Sequence, residues 1–253
     1  MFFFTLILPT LAWTQNNSFP ELFKQGTQHY VAKEYDKARD AFAKALESDP
    51  HNATTLTNLA LAQYQLGKKP LAVGLLRKAL SSDPELPAAK AGLKFALSQM
   101  EIKEIPHQIE TYESIRANLL SPVPLFAFLV LTALLLFAGG WILISYFGKR
   151  RRAFAEEKAF PGFPVIGALL SLGFLVSLTL LVLKIYDQSI VRATIIDDKV
   201  SMQAAAGDNQ AALLDLYGGM EVIVQNESKD WVQVTYPGSI TGWIKATSIL
   251  KTN

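Results

Sequence analysis

The chain has 253 residues, 50% of them apolar and 18% charged, with a net charge of +2. Near-neutral charge with one short basic cluster speaks against a nucleic-acid surface, and the absence of cysteine excludes disulfides, thiolate metal sites and a lipoprotein anchor. A mean hydropathy of +0.22 is high for a soluble chain. The apolar residues gather near the start and between positions 122 and 183.

The opening stretch "MFFFTLILPTLAWTQ" is apolar from Met1 to Leu8, too short to span a bilayer, and gives way to "TQNNS". It resembles a secretory signal peptide over residues 1–14, with cleavage near Ala12 or Thr14, although basic residues ahead of the apolar run are missing. A retained anchor, a mis-set start and an ordinary core segment are the alternatives.

Between residues 19 and 100 the sequence repeats itself. "YDKARDAFAKALESDP" aligns with "KPLAVGLLRKALSSDP" at an offset of 34, pairing Ala38 with Ala72, Ala45 with Ala79, Leu46 with Leu80 and Pro50 with Pro84. Gly26/Ala60 and Tyr30/Tyr64 keep the same offset. Small residues at Gly26, Ala38 and Ala45 let helices nest, Phe42 fills the space between them, and Pro50 stops the second helix. This pattern resembles the tetratricopeptide repeat, with units at 19–52 and 53–86 and a capping helix at 87–100. The resemblance implies an all-α helical-hairpin solenoid. It also implies a concave protein-binding groove lined by the first helix of each unit: Phe23, Thr27, Tyr30, Val31, Thr57, Leu61, Tyr64 and Gln65. The alternative for Tyr30 and Tyr64 is packing against the next helix.

A linker, 101–121, carries Ile102, Ile105, Ile109, Tyr112 and Ile115 about a helical turn apart, interrupted by Pro106. Its balanced charges argue against strong attraction to anionic lipid.

Two uncharged runs follow. The first, 123–147, is ~37 Å long as a helix and the second, 162–183, ~33 Å, so both exceed the ~30 Å hydrocarbon core. Pro161 and Pro164 open the second run, where a missing N–H costs nothing. Trp141, Tyr146 and Tyr186 stand where an interfacial aromatic belt would lie. Gly167/Ser171 and Gly173/Ser177 have the spacing that lets spans approach closely. The intervening loop, 148–161, carries Lys149, Arg150, Arg151, Arg152 and Lys158 against Glu156 and Glu157. Short basic loops stay in the cytoplasm. Lys149, Arg150, Arg151 and Arg152 therefore read as topogenic, and both flanking modules are expected on the opposite, periplasmic side of an inner membrane.

Beyond Lys184, short alternating runs ("ATII", "VSMQA", "MEVIVQ", "WVQVTY", "TGWIKA") separated by "GGM", "NESKD" and "YPGS" predict a small antiparallel barrel over 190–253. Leu216, Gly219, Trp231 and the pair Gly242-Trp243 resemble the recurring positions of the bacterial SH3-type domain. The early strand "VSMQAAAGD" departs from that family. The resemblance implies a ligand surface at Trp231, Tyr236 and Trp243; ordinary barrel packing is the alternative for the tryptophans.

His29, His51 and His107 are scattered, and no phosphate-binding glycine loop or Gly-x-Ser-x-Gly elbow occurs. Asp197, Asp198 and Asp208 suggest a cation site only weakly, since acids at turns are usually solvated. No enzyme, cofactor or metal is expected.

The expected fold class is thus a multidomain membrane protein: tetratricopeptide repeats, a two-helix transmembrane hairpin and a small all-β SH3-like barrel. That order resembles the E-type membrane proteins of bacterial aerotolerance (Bat) operons, an association that implies von Willebrand A-type Bat proteins and a MoxR-type ATPase as companions in stress tolerance. Expected partners are other membrane or periplasmic proteins and membrane lipid. The alternative function is binding of peptidoglycan, or envelope sensing, through the SH3-type domain.

Overall fold

A computed structural model describes residues 19–100, 114–236 and 240–252. The expected signal segment and the linker positions Ile102, Ile105, Pro106, Ile109 and Tyr112 lie outside the described residues.

Five helices come first: α1 (Phe19–Val31), α2 (Tyr35–Ser48), α3 (Ala53–Gln65), α4 (Lys69–Ser82) and α5 (Pro87–Ser98). Helix α2 buries Ala38, Ala41, Phe42 and Ala45, the i, i+3, i+4, i+7 set of a one-sided helix. Phe42 is 1% exposed. A Cβ on Gly26 would fall 2.6 Å from its ring, so α1 and α2 meet this closely only because residue 26 has no side chain. Asn52 caps α3 by accepting from the Thr55 amide at 2.9 Å. Pro70 sits in the first turn of α4, where its missing N–H is harmless.

The turns inside the two hairpins are copies of one another. Gly67 has φ +82° and Lys33, one repeat earlier, has φ +61°. Each donates back to the tyrosine three residues earlier, Lys33 to Tyr30 and Gly67 to Tyr64, both at 3.0 Å. The next amide reaches one residue further: Glu34 to His29 at 2.9 Å and Lys68 to Gln63 at 3.0 Å. These bonds satisfy helix-end carbonyls through a left-handed residue.

A π-helical segment, Arg116–Leu120, leads into α6 (Leu125–Ala155), which α7 (Val165–Ser189) packs against. From Leu125 on, the predicted first span, 123–147, is helical, and the helix runs on to Ala155, so Lys149, Arg150, Arg151 and Arg152, expected in a loop, are helical, while Lys158 lies beyond the helix end. The second helix likewise continues past residue 183 to Ser189. Both are long and apolar enough to cross a membrane. Leu134, Phe137, Trp141, Ile166, Leu169 and Val176 point outward and are exposed, as on helices whose surroundings are apolar. Between the helices, a Cβ on Gly167 would lie 2.7 Å from Ile142, and one on Gly139 3.3 Å from Leu170. Thr132 and Ser177, both buried, share a hydroxyl hydrogen bond of 2.7 Å.

Seven strands follow: β1 (Arg192–Ile195), β2 (Lys199–Gln203), β3 (Ala212–Tyr217), β4 (Glu221–Ser228), β5 (Trp231–Thr235), β6 (Thr241–Lys245) and β7 (Ile249–Lys251). All pairings are antiparallel, in the order β3-β2-β6-β5-β4-β1-β7. The core includes Ile195, Met202, Leu216, Val222, Val234 and Ile244. The closed barrel expected here is instead an open sheet, edged by β3 and β7. Strand β2 joins β6 through the pair Gln203 and Trp243, and the edge strand β7, three residues long, pairs with β1 on one side and lies near α4.

Candidate functional site

The groove positions fall into three groups. Thr27, Val31 and Gln65 are exposed, although the Thr27 hydroxyl bonds back to the Phe23 carbonyl at 2.9 Å. Phe23, Tyr30, Leu61 and Tyr64 are half-buried. Phe23 meets the Phe42 ring edge-on at 5.8 Å, and Tyr30 meets Tyr35 at 5.4 Å, so these rings divide themselves between core and surface. Thr57 is buried, and its hydroxyl donates to the Ala53 carbonyl at 2.8 Å. One residue outside the predicted set belongs with them. Phe95 on α5 is 53% exposed, and its ring lies 5.4 Å from that of Tyr64, tilted by 55°. It stands at the repeat offset from Leu61, so α5 takes the position of a further first helix and extends the lining. Continuing the 34-residue alignment by one unit would have found it.

A second constellation joins the modules. Arg77 of α4 donates to the Thr194 hydroxyl at 2.9 Å and the Gly219 carbonyl at 2.7 Å, and lies 3.8 Å from Glu221. Arg116 reaches Glu221 at 3.2 Å and Asp187 at 3.3 Å. Arg192 pairs with Asp187 at 2.9 Å and Glu221 at 3.4 Å. Lys184 donates to the Leu120 carbonyl. Helical repeats, the pre-span segment, the end of α7 and the sheet therefore share one ionic network beside a cleft of about 820 Å³. Burial pulls the Arg77 guanidinium below its ordinary value, and the Glu221 carboxylate works against that shift. Close packing reinforces the junction: a Cβ on Gly218 would lie 2.5 Å from Pro70 of α4, and one on Gly74 3.1 Å from Leu250. Sequence reading missed this network. Its signal was faint: Arg77 aligns with Ala43, an unlike residue at an equivalent position.

On the sheet, Val232, Val234 and Ile244 point inward, so Trp231, Gln233 and Trp243 share the opposite face, half-buried. Gln233 is the cross-strand partner of Trp243, and it accepts from the Asn226 amide at 2.7 Å. Lys245 sits 5.7 Å from the Trp231 ring centre. Tyr236, expected on this surface, follows Val234 in parity and is buried in the sheet core.

The basic residues Lys149, Arg150, Arg151 and Arg152 occupy the far end of α6 and are exposed. Among the described residues no group of three or more His, Cys, Asp or Glu could hold a metal. Asp208 lies 3.2 Å from Lys245 as an exposed ion pair.

No curated protein matches the chain. Residues 23–87 match the family model of the tetratricopeptide repeat, which supports the reading of the N-terminal helical hairpins as repeats of that kind.

Proposed function

We propose that this protein is a non-enzymatic inner-membrane scaffold. Its repeats and an SH3-type sheet stand together on the periplasmic side of a transmembrane hairpin and bind proteins of a Bat and MoxR-type stress-tolerance complex. The observation that carries this reading is the Arg77, Arg116, Asp187, Arg192 and Glu221 network. It bonds both soluble modules to each other and to the end of α7 away from the basic tip, which supports their lying on the same side. The groove of Phe23, Thr27, Tyr30, Val31, Leu61, Tyr64 and Gln65, with Thr57 beneath it, is the proposed protein-binding surface. Its neutral, partly aromatic lining suits an extended or helical segment of a membrane partner better than an acidic chain end.

The test is co-purification with a co-expressed von Willebrand A-type Bat protein. Recovery is expected with the native chain and not with Tyr30→Ala plus Tyr64→Ala; undiminished recovery by the variant overturns the groove assignment. A second reading, cell-wall binding through the sheet, is favoured by the outward Trp231 and Trp243. Failure of the purified protein to co-sediment with sacculi removes it.

A further inference from the structure

The end of the hairpin remote from the soluble modules carries a surface that the scaffold role leaves unused. Helix α6 has 31 residues, which makes it ~46 Å long, and a hydrocarbon core accounts for ~30 Å of that. With the apolar stretch seated in the core, the excess falls at the C-terminal end, where every side chain from Lys149 to Arg152 is cationic. The expectation of a loop here hid the consequence of helical geometry. Phe147, Arg150, Arg151 and Phe154 are spaced i, i+3, i+4 and i+7, so they share one face. Phe147 and Phe154 are 58% and 75% exposed, and on the return segment Phe160 and Phe163 are exposed too. The Arg150 guanidinium lies 5.6 Å from the centre of the Phe160 ring.

None of the four cations has an acidic partner within ion-pair distance among the described residues, whereas Lys158 is paired with Glu156 at 2.8 Å. Four guanidinium and ammonium groups without an acidic partner among the described residues, flanked by exposed phenylalanines on a helix leaving a bilayer, match two layers at once. The rings suit the acyl boundary and the cations suit phosphate oxygens just above it. An orientation signal alone needs only the charge. It does not need the charge to be rigidly helical, nor flanked by outward phenylalanines.

We propose that this helical tip, Lys149 to Arg152 with Phe147, Phe154 and Phe160, is a binding surface for the phosphate headgroups of anionic phospholipids. The inference rests on the membrane-spanning reading of α6 and α7, and the two fail in different experiments. Extraction of the protein from membranes by alkaline carbonate without detergent would remove the spanning reading.

The tip itself is tested on detergent-purified full-length protein, where orientation plays no part. The native chain is titrated with short-chain phosphatidylglycerol and with phosphatidylcholine, and lipid retention is read by native mass spectrometry. A preference for phosphatidylglycerol of more than tenfold is expected, weakening as salt is raised. It should be lost in Lys149→Gln/Arg150→Gln/Arg151→Gln/Arg152→Gln. Phe154→Ser with Phe160→Ser should weaken retention of both lipids. If the fourfold variant does not fold, Arg150→Gln and Arg151→Gln separately should each lower the preference. Equal retention of the two lipids by the native chain, or an unchanged preference in the charge variants, overturns the proposal.

Discussion

Arg77 donates a 2.7 Å hydrogen bond to the backbone carbonyl of Gly219, closing a contact between residues 142 positions apart in the chain. The same Nη1 also reaches the Thr194 hydroxyl, so one side chain of the helical repeats serves β1 and the turn before β4. Arg77→Ala removes both bonds and leaves the Gly219 carbonyl and Glu221 short of a cation. The expected cost is about 2–4 kcal/mol. It should appear as a lowered thermal midpoint and as proteolytic cleavage between repeats and sheet. Arg77→Met, which keeps the volume, should cost less.

The close approach of α1 and α2 has a direct counterpart. Gly26→Ala places a methyl 2.6 Å from the Phe42 ring, and overpacking of this kind costs about 1–3 kcal/mol. Scanning calorimetry should report the loss. Combining it with Phe42→Leu should recover part of it, because the smaller side chain vacates the contested space.

The repeated turn allows a stabilising substitution. Lys33 holds φ +61° where its repeat partner is Gly67, and a left-handed conformation costs a side-chain-bearing residue roughly 1–2 kcal/mol. Allowing for the extra chain entropy of glycine, Lys33→Gly should raise stability by about 0.5–1 kcal/mol. Gly67→Ala should lower it by a similar amount. Chemical denaturation of the three proteins side by side decides the sign.

Inside the hairpin, the Thr132 and Ser177 hydroxyls pair at 2.7 Å. Interhelical hydrogen bonds in such surroundings average about 0.6 kcal/mol and reach about 1.7. Thr132→Val and Ser177→Ala should each lower resistance to unfolding in mixed micelles by that order. The double variant should lose less than the sum, because both singles break the same bond.

Orientation is open to a direct measurement because the chain has no native cysteine. Single cysteines at Ser48→Cys, Ala155→Cys and Ser228→Cys should react with an impermeant thiol reagent in intact cells at the first and third positions only. The reverse pattern would overturn the periplasmic assignment of both modules.

What the sequence made legible is what depends on local periodicity. The nesting of Ala38, Phe42 and Ala45 follows from a 3.6-residue period, and the two long helices follow from uninterrupted apolar runs. The alternation that sends Val232 and Val234 inward was readable as well. Residues that meet through tertiary arrangement were not. Arg77, Arg116, Asp187, Arg192 and Glu221 belong to different elements, and nothing in the spacing of isolated charges announces that they converge. Tyr236 was placed on the ligand surface by the SH3-type resemblance, whereas its side chain is buried with the sheet core, in parity with Val234. The continuation of α6 through four cations was missed because charge was read as the end of a span. Lysine and arginine are good helix formers, so the charge ends the apolar character and not the helix.

Only Ile190 and Val191 separate the end of α7 from the start of β1. Both are held: the Ile190 amide bonds the Asp187 carbonyl at 3.3 Å, and the Val191 carbonyl accepts from Val224 at 2.8 Å. Arg192 then clamps back onto Asp187. The connection is two residues long and bonded at both ends. It fixes the first strand of the sheet beside the last turn of α7, and Arg77 ties the repeats to the same place.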